Sequence, residues 1–220
     1  MLRIYPEVLS LSEMATLQDL TERVAFVDGR ASASVELADF KHNEQLGPND
    51  PAITSVATIV GTALRRHPRF RADQLPRHVH SLRLARYREG MYYRPHVDAA
   101  LMSEGAAMYR ADASFTLALD EPAAYGGGEL VIGDRAIALP AGALVVYPTG
   151  AFHEVREVTR GVRRVIVGWI QSLVRDAAAR ETLADLSSAL ELVRSAGGPR
   201  AGIDLIVKAH ANLMRRWAEP

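Results

Sequence analysis

Within the stretch YYRPHVDAA, residues 92–100, an imidazole and a carboxylate stand two positions apart, His96 and Asp98. On an extended chain, residues i and i+2 project to the same side, so the pair can present two donors to one ion. A third donor is His153, in YPTGAFHEV, just past the strand-like ALVVYP. In a rolled sheet that separation can bring it back beside the first two. Two imidazoles and one carboxylate bind one face of an octahedral ion and leave three adjacent positions open, the arrangement of non-haem Fe(II) chemistry. Zinc accepts the same donors but favours four-coordination. Ten residues beyond His153, Arg163 opens the apolar run VIVGWI, on a face shared with Val165, Val167 and Trp169. Packing explains such an arginine poorly. A buried guanidinium needs an anionic partner, and its fork suits a carboxylate. Glu154 or Glu157 could serve across a surface turn, or a bound dicarboxylate could.

The bulk properties narrow the chemistry. The chain has 220 residues and no cysteine, so disulfides, thiolate chemistry and cysteine-held zinc are excluded. Its 26 basic and 26 acidic residues cancel, which gives no global attraction to nucleic acid or to an anionic membrane. No segment has the apolar length of a membrane span or the pattern of a signal peptide, so a cytoplasmic protein is expected.

The elements that must position these residues follow from periodicity. LSLSEMATLQDLTERV reads as a helix with Ser10 and Glu13 as a capping box and Met14, Leu17, Leu20 and Val24 on one face. Residues 28–51 are polar and irregular. A second helix is expected across ITSVATIVGTALRRHP, with Pro68 beyond its end. From residue 76 the period changes to two, through HVHSLRLARY, ASFTLALD, GGELVIGD, RAIALPAGALVVYP and RRVIVGWIQS. The triplet Gly126-Gly127-Gly128 lacks the helix and lysine of a phosphate loop and is read as a tight hairpin or bulge. After Ser172 helical spacing returns, first with Leu183, Leu186, Leu190 and Val193, then with Ile206, Ala209, Leu213 and Trp217. The expected fold class is therefore α+β. Residues 1–75 form an N-terminal helical segment, 76–175 a β-roll of about eight strands closing as a jelly roll, and 176–220 a C-terminal helical extension, all in one domain. The apolar stripes of the last helices suit either a homodimer contact or their own core.

The remaining histidines have ordinary readings. His78 and His80 form another i, i+2 pair without a carboxylate and are assigned to packing or surface, as are His42, His67 and His210.

The segments RYREGMYYRPHVD, YGGGELVI, LPAGALVVYPTGAFHEVREVTRGVRRVIVGWIQSLVRD and NLMRRWAE, together with KHNEQL near residue 41, resemble the bacterial PKHD-type hydroxylases. These are Fe(II)- and 2-oxoglutarate-dependent dioxygenases related to prolyl and lysyl hydroxylases. The resemblance implies a double-stranded β-helix with His96, Asp98 and His153 as iron ligands. It implies Arg163 as the anchor of the distal carboxylate of 2-oxoglutarate, and Tyr87 as a support for that carboxylate. It further implies O2 as cosubstrate, ascorbate as a reductant, succinate and CO2 as products, and hydroxylation of a protein side chain or a small molecule. The loop after Asp98, AALMSEGAAMYRADAS, departs from the family pattern, which bears on the substrate mouth. Two other readings compete: a non-catalytic metal- or ligand-binding β-roll, and a cupin-like metal-dependent isomerase or hydrolase.

Overall fold

The computed structural model describes residues 2–32 and 35–219. Two antiparallel sheets dominate. The larger has seven strands in the order β1 (Arg3–Tyr5), β13 (Leu144–Pro148), β9 (Ala113–Ala118), β16 (Val162–Ser172), β5 (Pro76–Arg88), β4 (Glu44–Leu46) and β2 (Phe26–Asp28). The smaller has five, in the order β12 (Arg135–Ile137), β11 (Leu130–Ile132), β14 (His153–Val155), β6 (Tyr92–His96) and β3 (Lys41–His42). Two short pairs complete the strands: the hairpin of β7 (Leu101–Glu104) with β8 (Ala107–Arg110), and the long-range pair of β10 (Gly126–Gly127) with β15 (Val158–Arg160).

The period-2 pattern divides the large sheet into two faces. Leu84, Phe115, Leu117, Leu144, Val146, Ile166 and Ile170 pack against helices. Those helices are α1 (Leu11–Arg23), α2 (Ala52–Arg66) and α3 (Pro68–Gln74), which contribute Leu17, Val56, Val60, Leu64 and Phe70. The alternate residues Ala85, Tyr87, Ala118, Val145, Tyr147 and Val165 face the smaller sheet and meet Leu130, Ile132 and Val155. The functional side chains lie on this second face.

Helix α1 begins as its sequence demands. Ser10 accepts from the Glu13 backbone N–H, and the Ser10 N–H donates to Glu13 Oε2 at 2.8 Å. Helix α3 was not foreseen. Pro68 does end α2, yet it then serves as the first residue of a new helix, with His67 Nδ1 accepting from Phe70 N–H at 3.1 Å. The segment 1–75 is also less helical than expected, because β1, β2 and β4 extend the large sheet and β3 the small one. These strands are two or three residues long, too short for periodicity to register.

Strand β5 carries a bulge. Arg83 pairs with Val167 and His80 with Trp169, so Ser81 and Leu82 together oppose Gly168. Ser81 takes φ +55°, as such an inserted residue can. The bulge inverts the alternation. Val79 lies on the helix side before it, and Leu82 and Leu84 lie there after it, which turns Arg83 toward the smaller sheet.

The chain ends in α4 (Ala177–Ser195) and α5 (Arg200–Trp217). Asp176 caps α4 by accepting from Ala179 N–H at 2.7 Å. Val174, Ala179 and Leu183 form a small separate cluster with Leu213, Met214 and Trp217. Among the described residues no helix is long and apolar enough to cross a membrane.

Candidate active site

His96 ends β6, His153 begins β14, and the two are direct cross-strand partners. The fold therefore brings the two imidazoles together by strand register. Their ring centroids are 4.2 Å apart. Asp98 lies just beyond β6 and returns between them. His96 Nε2 is 3.7 Å from Asp98 Oδ1, and His153 Nε2 is 3.7 Å from Asp98 Oδ2. One ligand atom from each of the three residues lies within 4.8 Å of the others.

The hydrogen bonds behind these groups fix their chemistry. His96 Nδ1 is 2.8 Å from the Arg94 carbonyl and His153 Nδ1 is 3.0 Å from the Ala151 carbonyl. A carbonyl only accepts, so each Nδ1 carries a proton and each Nε2 is turned toward the shared centre. Burial, and then the neighbouring His153, push the His96 imidazole down to about 4, which keeps it a neutral donor at physiological pH. Asp98 Oδ2 accepts from Ser114 Oγ at 2.7 Å and from Trp169 Nε1 at 2.9 Å. Ser114 Oγ in turn lies 3.1 Å from Thr149 Oγ1. Tyr93 stacks on His96 with centroids 3.6 Å apart, and Tyr147 lies 4.9 Å from His153. The donors are thus two oriented imidazoles and an oriented carboxylate, a set that fits a divalent ion with open positions.

Arg163 lies opposite Tyr87 in the large sheet, its guanidinium carbon 5.4 Å from the Tyr87 ring centre. Arg163 is 4% exposed, and its Nη1 is buried with no hydrogen-bond partner among the described residues. Neither Glu154 nor Glu157 pairs with it among the described residues. The nearest cation to Glu154 is Arg156, at 3.9 Å. A buried, unpartnered guanidinium nitrogen is costly, and a carboxylate supplied from outside the chain would satisfy it. Burial raises the Tyr87 phenol above its ordinary value, so it remains an O–H donor beside Arg163.

A cavity of about 380 Å³ is lined by His96, Asp98, His153, Tyr87, Tyr147 and Trp169, while Arg163 stands behind Tyr87 and is not among its lining residues. Two further lining residues were not anticipated, Lys41 and Arg83. In KHNEQ the residues Lys41, Asn43 and Gln45 are all buried while His42 is exposed. That alternation of polar residues was the available signal, masked by an apparently irregular loop. Burial, and then Arg83, bring the Lys41 ammonium down to about 7. The other histidines lie away from the three donors. His80 stacks on Tyr109 with centroids 5.0 Å apart, His67 caps a helix, and His42 is exposed. Gly126 and Gly127 form β10, with a register shift between them, as a bulge reading requires.

Comparison with known proteins shows the family of the chain. The family profile described as the 2OG-Fe(II) oxygenase superfamily matches residues 82–171. A PKHD-type hydroxylase of Acaryochloris marina is 43% identical over 97% of this chain and 97% of its own. One of Crocosphaera subtropica is 40% identical over 96% and 97%. Among solved structures, the viral collagen prolyl hydroxylase of Paramecium bursaria Chlorella virus-1, in its 2OG complex, superposes with a TM-score of 0.51 at 16% identity. That match covers 78% of this chain and 96% of the viral one. This last likeness is one of fold.

Proposed function

Because this chain belongs to the PKHD-type hydroxylases of the 2OG-Fe(II) oxygenase superfamily, we propose that His96, Asp98 and His153 hold its ferrous ion and that Arg163 anchors 2-oxoglutarate. The enzyme is a 2-oxoglutarate-dependent dioxygenase, hydroxylating a substrate with release of succinate and CO2. The observation that carries the residue assignment is the register pairing of His96 with His153 around Asp98, each imidazole turned by a backbone carbonyl.

Fe(II), when bound, supplies the oxygen activation that no side chain can provide. The residues do the rest. The two Nε2 atoms and the Asp98 carboxylate would hold the ion from one side, and the cavity they line would admit 2-oxoglutarate and O2. Trp169 and Ser114 hold the carboxylate orientation. Arg163 fixes the distal end of the keto acid, and the Tyr87 hydroxyl supports the same carboxylate. Val155, Val167 and Leu130 line the cavity and exclude water. We assign ascorbate as the reductant that would keep the ion ferrous, and the cytoplasm, with its supply of 2-oxoglutarate, as the site of action. The family name points to prolyl or lysyl side chains as substrates, although fold alone does not fix the substrate.

The test separates the two assignments. Asp98→Ala removes the only charged ligand and is expected to abolish Fe(II) binding under anaerobic titration. Arg163→Ala is expected to keep the ion and to raise the 2-oxoglutarate requirement by about 10–100-fold, the loss of one charge-assisted bidentate contact. Full iron occupancy in the first variant, or an unchanged requirement in the second, refutes the corresponding role.

A further inference from the structure

Two cations line the cavity and have no carboxylate partner among the described residues. Lys41 is 5% exposed and donates to Ser32 Oγ at 2.7 Å. Arg83 is half-buried and donates from Nη1 to the Ser32 backbone carbonyl at 3.1 Å. Both therefore converge on one residue. Each also lies against an aromatic ring that touches a candidate ligand. Lys41 Nζ is 5.1 Å from the centre of the Tyr93 ring, which stacks on His96. The Arg83 guanidinium carbon is 5.4 Å from the Trp169 ring centre, and Trp169 donates to Asp98.

A charge tally of the site leaves these two groups unmatched. A divalent ion and the doubly charged keto acid cancel. Asp98 and Arg163 cancel. A hydroxyl and a carbonyl satisfy hydrogen-bond geometry at Ser32, but they do not neutralise two covered positive charges. Arg83 is the second cause, after burial, of the lowered Lys41 basicity, and the more distant attraction of Asp98 and Asp28 opposes it without forming an ion pair. An arrangement that unfavourable is relieved by an anion between them.

We propose that Lys41 and Arg83 form a second anion subsite, which seats a carboxylate of the primary substrate beside the Tyr93 and Trp169 rings. One guanidinium fork and one ammonium match the two oxygens of a carboxylate. Lys41 and Arg83 keep further N–H donors after serving Ser32, so inorganic phosphate enters the test as the competing anion. The substrate class is a carboxylic acid, free or as an acidic side chain of a peptide, hydroxylated at a C–H a few bonds from that carboxylate. This rests on the dioxygenase reading above and goes beyond it by naming what the substrate must carry.

The experiment uses the full chain loaded with Mn(II) and 2-oxoglutarate, so that Arg163 is already occupied. Mn(II) broadens the proton resonances of molecules held near it. Retention of Mn(II) and broadening of 2-oxoglutarate report on the underlying site. If neither occurs in the wild-type protein, the metal and cosubstrate assignment fails, and this proposal falls with it. With the site loaded, butyrate is expected to be broadened and its uncharged amide, butyramide, not. In Lys41→Met or Arg83→Met, Mn(II) and 2-oxoglutarate should remain bound while butyrate binding weakens by about tenfold or more, the effect of losing one charge-assisted hydrogen bond. Lys41→Arg should restore part of it. An N-acetylated, C-amidated aspartyl tripeptide broadened as butyrate is assigns the carboxylate to a peptide side chain. Broadening of butyrate alone assigns it to a free acid. Equal behaviour of butyrate and butyramide, stronger competition by inorganic phosphate than by butyrate, or full butyrate binding in both variants overturns the proposal. Should neither variant fold, the wild-type comparison of acid with amide still decides it.

Discussion

Trp169 has one N–H, and it donates to Asp98 Oδ2 at 2.9 Å. Ser114 shares the same oxygen, so two donors set the plane of the carboxylate. Groups that orient a ligand in this way commonly change metal affinity by about 10–100-fold when removed. Trp169→Phe keeps most of the ring that lies against Arg83 and removes the N–H alone. Its apparent Fe(II) affinity is expected to fall within that range while the circular dichroism spectrum is unchanged. An unaltered affinity would mean that Ser114 holds Asp98 unaided. At this scale the sequence was informative in one direction only. His96, Asp98, His153 and Arg163 stood out because their types are unusual at those spacings and have few other uses. Trp169 did not, since on an apolar strand face it reads as packing, and nothing in the sequence reveals where its N–H points. Lys41 was hidden for the opposite reason. Its neighbours are polar, and a buried strand of alternating polar residues looks like a loop.

Elements place these residues, and the glycines of residues 126–128 show how. Gly128 has φ +68°, and a Cβ there would meet Val158 Cγ2 at 2.8 Å and Arg163 Cδ at 3.2 Å. Val158 is fully buried and cannot retreat. Gly128→Ala must therefore push on Arg163 and adopt a backbone conformation costing about 1–3 kcal/mol. The expected outcome is a higher KM for 2-oxoglutarate with metal affinity intact, since His96, Asp98 and His153 lie on other segments. Steady-state kinetics beside an anaerobic Fe(II) titration checks it, and a parallel loss of both would show that the bulge supports the whole site. The triplet was legible as a bulge but not as the space that admits Arg163. The same limit explains the N-terminal strands. The capping box of α1 and the stripe of α2 are strong local signals, whereas β1 to β4 exist because a sheet edge is there to pair with them. The bulge at Ser81 is of this kind too. It decides that Arg83 faces the cavity, and only the partner strand β16 reveals it.

For the whole molecule, the large sheet separates two tasks. Its helix-covered face gathers Leu17, Val56, Val60, Leu64, Phe70, Phe115 and Ile166 into one cluster that contains none of the candidate site residues. Its other face supports the cavity. The chain is therefore expected to fold without the metal, unlike small metal-stapled domains, and an ion and 2-oxoglutarate that bind the folded state should stabilise it by mass action. At a ligand concentration of about 100 times Kd the gain is about 2.7 kcal/mol. For a chain of this size each kcal/mol moves the midpoint by roughly 2–4 °C, so saturating Mn(II) with 2-oxoglutarate should raise Tm by roughly 5–10 °C. Asp98→Ala should lose that increment while its ligand-free Tm stays close to that of the ligand-free wild type. A chelator should return the wild-type protein to the ligand-free midpoint without unfolding it at room temperature. Differential scanning calorimetry under argon measures all three. Unfolding on chelation alone would show that the cavity face, with its paired imidazoles and unmatched arginine, cannot be carried by the helix-covered core.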